Sequence, residues 1–160
     1  MDEKQKELLF RDLCGRFEHD VMVYVTYDYD IDHEFYSETH EIELDASILE
    51  VDLNEKKLHL LLEDENDEKN EYFQECFDDE WTEFYFVKPY LRPMESMTEE
   101  ENKELGQLLS DDSLIVGDPA RTIALHCAVC TDFFNKKMLD YRGLIEQGIA
   151  LPAKEGMYVF

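Results

Sequence analysis

The sequence predicts an α+β domain in which an antiparallel sheet of four or five strands packs against two or three helices. Three observations lead there. The chain opens on a helical stripe of apolar residues, changes to a two-residue hydrophobic period through residues 21–62, and later carries two helix starts with cap signals. Its 160 residues fit a single domain with one core, and no internal repeat divides them.

In residues 1–17, Leu9, Leu13 and Phe17 recur every four positions, with Leu8 and Phe10 beside them, as on the buried face of a helix. Gly15 and the pair His19 and Asp20 mark its expected end. From Val21 the period becomes two. Val21, Val23, Val25, Tyr27, Tyr29 and Ile31 alternate with Met22, Tyr24, Thr26, Asp28, Asp30 and Asp32, a strand with one apolar face and one that turns acidic. Further strands are expected at residues 41–45 with Ile42 and Leu44 inward, 48–53 with Leu49, Val51 and Leu53 inward, and 57–63 with Leu58, Leu60 and Leu62 inward. The last two read as a hairpin around Asn54 and Glu55. Residues 63–80 hold ten acids among few apolar anchors and read as a solvated, flexible segment with one short helix at most.

Order returns at residues 81–87, where Phe84 and Phe86 alternate with Tyr85 and Val87 in a strand covered on both faces. Pro89 and Pro93 are expected to stop it, since neither can donate to a ladder. Thr98 and Glu101 have capping-box spacing before Leu105, Leu108 and Leu109. Asp118 and Pro119 form an N-cap and N1 pair before the stripe Ile123, Cys127, Cys130, Phe134 and Met138. Gly143 and Gly148 punctuate the tail.

The segments Lys88-Pro89-Tyr90-Leu91-Arg92-Pro93-Met94, Ser96-Met97-Thr98-Glu99-Glu100-Glu101 and Asp140-Tyr141-Arg142-Gly143-Leu144-Ile145 with Gly148 resemble a family of small uncharacterised proteins of gut Bacteroidales genomes and their phages or prophages. The likeness covers the second half best. Glu95 stands where the family pattern has serine, and the acidic middle is heavier than the family's. The resemblance implies a bacterial or phage cytosolic protein and no particular reaction. Tyr90, Arg92, Asp140, Tyr141 and Arg142 are its pattern residues.

Charge is the most informative property. Forty Asp and Glu oppose 15 Lys and Arg, a net charge of −25. Direct contact with DNA, RNA or an anionic membrane would meet net repulsion. Residues 28–83 carry 22 acids and three bases, a net of −19, leaving −6 for the other 104 residues. Apolar runs such as 60–62 and 114–116 fall far short of the roughly 20 residues that span a bilayer. The charged start MDEKQKELLF does not resemble a signal peptide, so a cytoplasmic location with four free thiols is expected.

Motifs for catalysis or metal binding fail on inspection. Cys127 and Cys130 form one C-x-x-C inside a helix and on its apolar stripe, which reads as buried structural cysteine rather than a zinc or thioredoxin-like centre. Asp28, Asp30 and Asp32 begin an EF-hand pattern, but position six is His33 instead of Gly and position twelve is Thr39 instead of Glu. A nonspecific cation site on this edge is the weaker alternative. The five histidines are scattered, and no nucleophile elbow, P-loop or dinucleotide fingerprint occurs. The aromatics Tyr24, Tyr27, Tyr29, Phe84, Tyr85 and Phe86 read as core, and Arg92, Asp140 and Arg142 as a buried ion pair tying the post-strand segment to the tail.

These features predict a non-enzymatic accessory protein that needs no cofactor or metal. Its acidic surface, at Asp28, Asp30, Asp32 and Glu34, would bind a basic protein partner as a mimic of nucleic acid, for instance to inhibit a host nuclease or defence complex. Two alternatives stand beside this. In one the acids only solubilise the chain. In the other a groove framed by aromatics and proline near Tyr90 and Arg92 binds a partner without mimicry. Oligomeric state stays open.

Overall fold

The computed structural model describes residues 1–32, 37–62 and 81–158, of which 27–32, 37–44, 62, 81 and 85 are described by backbone path. The acidic segment 63–80 lies outside the described residues. The fold is α+β, and among the described residues it has three helices and a mostly antiparallel sheet of six strands rather than four or five.

Helix α1 (Glu3–Arg16) opens on a capping box in which the Asp2 carboxylate accepts the Gln5 N–H at 2.8 Å and the Gln5 side chain accepts the Asp2 N–H at 3.0 Å. Leu9 and Leu13 are fully buried, as their spacing predicts. Gly15 lies inside the helix instead of ending it. A Cβ there would sit 2.8 Å from Asn135 Nδ2, so this glycine marks the close approach of α1 to the last helix. The chain turns at Asp20, with φ of 55°, into the sheet.

The strands are β1 (Met22–Asp32), β2 (Ser37–Asp52), β3 (Lys57–Leu62), β4 (Trp81–Glu83), β5 (Val87–Leu91) and β6 (Leu151–Pro152), in spatial order β4-β3-β2-β1-β5-β6. Among the described strands β5 and β6 pair in parallel and the other pairs are antiparallel. The two strands expected at 41–45 and 48–53 are one, β2, with a bulge. Ile48 pairs with Leu60 and Glu50 with His59, so Leu49 is an extra residue that inverts the inward parity. Ala46 and Ile48 are buried, Val51 packs on the core, and Leu49 and Leu53 are 49% and 66% exposed. The inward set is therefore Ala46, Ile48 and Val51, not Leu49, Val51 and Leu53. Ile48→Ala is expected to cost about 2–4 kcal/mol in urea unfolding and Leu49→Ala less than about 0.5; equal losses would contradict the bulge. The predicted hairpin follows. Asp52 Oδ1 accepts the N–H groups of Asn54 at 2.8 Å and Glu55 at 3.0 Å, and Lys56 takes φ of 54°.

The strand expected over 81–87 breaks, because Phe84–Phe86 forms a 3-10 turn between strands that pair on different sides of the sheet. Glu83 pairs with Lys57 and Val87 with Val25. Four residues reach at most about 14 Å, whereas four strand steps across a flat sheet measure about 19 Å. The sheet must therefore curl. Phe84 is buried in the turn with its ring centroid 5.1 Å from that of Phe10 on α1, which draws the two ends together. Pro89 does not stop β5. It is the last residue registered on β1, and pairing with β6 begins at Tyr90, so the missing N–H falls at the handover.

Helix α2 (Glu99–Leu109) starts at the predicted Thr98 and Glu101 capping box, and helix α3 (Pro119–Lys136) at the predicted Asp118 cap. Of the stripe predicted for α3, Met138, just beyond the helix, is buried and Phe134 is half-buried, while the buried ring near the helix end is that of its neighbour Phe133. Ile123 is 64% exposed, Cys127 is exposed and Cys130 is half-buried, so the expectation of buried cysteines is corrected. Helical period shows which face is apolar; it does not supply an element opposite that face. After α3 the backbone bonds Arg92 N–H to Met138 O at 2.7 Å and Asp140 N–H to Arg92 O at 2.8 Å, and Gly143 and Gly148 turn the tail with φ of 68° and 71°.

Candidate functional site

The acidic positions of β1 lie on a two-stranded ribbon. Val23, Tyr24 and Val25 pair with β5 on one side and β2 on the other, but from Thr26 to Asp32 the described partner of β1 is β2 alone. On β2, pairing with β3 begins at Ala46. Asp28 is registered opposite Glu41, Thr26 opposite Glu43 and Tyr24 opposite Asp45, while Asp30 and Asp32 face Thr39 and Ser37. Six acids thus occupy five alternate levels, over about 26 Å at the usual strand rise. That is about 4 Å of axis per charge, against about 3.4 Å for one strand of duplex DNA. Residues 26–32 and 37–43 contain no Lys or Arg. Glu34 lies outside the described residues.

At the base of this row side chains are described, and they form a closed arrangement. The Tyr90 hydroxyl donates to Asp45 Oδ1 at 2.7 Å, Lys154 pairs with Asp45 Oδ2, and the Lys154 ammonium stands 5.0 Å from the Tyr90 ring centroid. The Tyr24 ring meets Tyr90 edge-on at 6.3 Å. Burial, then the Asp45 carboxylate, pushes the Tyr90 phenol above its usual range, and the hydrogen bond to Asp45 raises Lys154. Tyr158 closes the other side. Its hydroxyl accepts the Met22 N–H at 3.1 Å and donates to Tyr90 O at 2.8 Å, and burial pushes its phenol up to about 12.

Arg92 faces the interior. Its guanidinium forks onto Glu101 at 2.7 and 2.9 Å, and the same carboxylate accepts the Thr98 N–H at 2.8 Å. The Arg92 hydrogen bond, opposed by burial, holds the Glu101 carboxyl at about 2. The ion pair expected among Arg92, Asp140 and Arg142 is distributed differently. Asp140 accepts the N–H groups of Leu144 and Ile145, both at 2.8 Å, and Arg142 pairs with Asp12 at 3.1 Å. Sequence reasoning missed Asp45, Lys154 and Tyr158, because a contact between residues 109 apart leaves no local pattern.

A separate open cleft of about 600 Å³ lies between the end of α1 and helices α2 and α3, with Glu18, His19, Glu104, Asp132 and Lys136 among its lining residues. Among the described residues, those lining the cleft include His19 without a serine, threonine or cysteine beside it. Among the same residues, no group of three or more His, Cys, Asp or Glu side chains is placed to hold a metal ion, and no helix is long and apolar enough to cross a membrane. His126, next to the C-x-x-C, has its Nδ1 2.8 Å from Thr122 O. Against known proteins, the chain matches no family model, no curated protein and no solved structure.

Proposed function

We propose that this protein is a non-enzymatic interaction protein whose acidic ribbon binds a basic protein partner in place of nucleic acid. The observation that supports the reading is the register of β1 on β2, which aligns Asp28, Asp30 and Asp32 with Glu41, Glu43 and Asp45 in one row, with no Lys or Arg on the strands beyond its Asp45 end, over residues 26–32 and 37–43. Like charges directly opposite, as at Asp28 and Glu41, work against the sheet. A basic groove is the surface that would turn that repulsion into attraction. The sequence resemblance adds to this reading a cytosolic setting in a bacterium or its phage, where a nuclease or defence protein would be the target.

The test is capture from a bacterial lysate at low and physiological salt, with and without competing DNA. A basic nucleic-acid-binding protein is expected at low salt, displaced by DNA. The triple variant Asp28→Asn, Asp30→Asn, Asp32→Asn is expected to weaken that complex about tenfold or more and to flatten its salt dependence. Folding should survive, since the change removes repulsion. A partner held equally well by the triple variant, or insensitive to salt, would overturn the proposal.

A further inference from the structure

The contact between Lys154 and Asp45 bears on how the acidic row recognises a partner. Asp45 is the first acid of that row, opposite Tyr24, and its side chain keeps about a quarter of its surface exposed. Three features make its surroundings suited to an ammonium group. Oδ1 is already engaged by the Tyr90 hydroxyl, which leaves Oδ2 for one further donor. The Tyr90 ring lies 5.0 Å from the ammonium and supplies its negative face. A guanidinium fork would use both carboxylate oxygens in parallel, so a compact ammonium fits this half-occupied carboxylate better.

The group now at the site belongs to the chain itself. Lys154 is attached to a backbone anchored on both sides. Leu151–Pro152 pairs with β5 and Ala153 N–H bonds Leu91 O at 2.8 Å, while Tyr158 bridges Met22 and Tyr90 a few residues later. The lysine side chain itself is 57% exposed. It can swing away without unfastening the tail.

Resting on the acidic-ribbon reading, we propose that Asp45 and the Tyr90 ring form a subsite for a lysine side chain of the basic partner, and that Lys154 occupies this subsite in cis until the partner displaces it. The tail lysine then acts as a built-in competitor at the base of the ribbon. Its hold is that of an exposed ion pair, so it tunes affinity without blocking binding.

Fluorescence anisotropy with a labelled oligolysine peptide tests this on the full chain. Lys154→Gln is compared with Lys4→Gln, which removes the same charge from an exposed position on α1. The expected result is about three- to fivefold tighter binding for Lys154→Gln than for Lys4→Gln. Adding Asp45→Asn to Lys154→Gln should abolish that gain. Equal affinities of the two lysine variants, or a gain that survives Asp45→Asn, would overturn the cis-competitor proposal. So would a larger gain with oligoarginine, which would contradict the ammonium subsite. The ribbon reading fails separately, if the triple Asp28, Asp30 and Asp32 variant binds oligolysine as tightly as the unaltered protein. Because Lys154 is exposed, its variant is expected to keep the thermal unfolding midpoint of Lys4→Gln, which shows that any change in affinity belongs to the site.

Discussion

Arg16→Met is expected to lower the free energy of unfolding by about 3–5 kcal/mol, the largest single effect in this protein. Arg16 and Asp12 are both fully buried one turn apart on α1, joined at 2.7 and 3.1 Å. Arg16 also donates to the carbonyls of Leu139 at 2.9 Å and Phe134 at 3.3 Å, so it fastens α1 to the end of α3 and the segment after it. Arg142 reaches the same Asp12 at 3.1 Å and lies over the Tyr141 ring at 4.8 Å. Methionine fills much of the volume but leaves a buried carboxylate with one cation, and the Phe134 and Leu139 carbonyls keep only their backbone donors, the N–H groups of Leu139 and Tyr141. Against a total stability of about 5–15 kcal/mol, that loss is large. Denaturant unfolding measures it, and a double-mutant cycle with Asp12→Ala should give a coupling of about 2 kcal/mol or more. A loss below about 1 kcal/mol would show that the pair does not hold the helices together.

The second large effect is acid sensitivity through Glu101. Its folded carboxyl lies at about 2 against an ordinary 4.5, so the stabilisation is present above the unfolded value and is lost as pH falls from about 5 toward 2. Its size is on the order of 2–3 kcal/mol at neutral pH. Lowering the pH also relieves repulsion among the many other acids, so total stability is a poor readout. The difference between the unaltered protein and Glu101→Gln is the clean one, because glutamine preserves the capping geometry at Thr98 while removing the charge that Arg92 neutralises. That difference should be about 2 kcal/mol at pH 7 and shrink toward zero near pH 2. A difference that does not change with pH would mean that the Arg92 fork does not stabilise the ionised form.

Much of the fold is legible in the sequence for local reasons. The period of Leu9 and Leu13, the alternation from Val21, the turn at Asn54 and Glu55, and the caps at Thr98 and Asp118 are short-range signals, and each marks its element in the structure. The acidic positions are legible too, as a parity of residues along β1. Their alignment with Glu41, Glu43 and Asp45 is not, because it depends on register between strands.

By itself, then, the sequence determined the class of fold, the identity of most helices and strands, and the concentration of negative charge between residues 28 and 83. Tertiary structure decided the rest. Whether an apolar face is covered depends on what another segment brings to it, which is why Ile123 and Cys127 stay exposed. A bulge at Leu49 and a 3-10 turn at Phe84–Phe86 change parity and direction in the middle of patterns that look continuous. The partners of Arg92 and Asp45 were decided by packing. A charged side chain taken from water pairs with whichever opposite charge the fold brings within hydrogen-bond distance, and chain separation has no part in that choice.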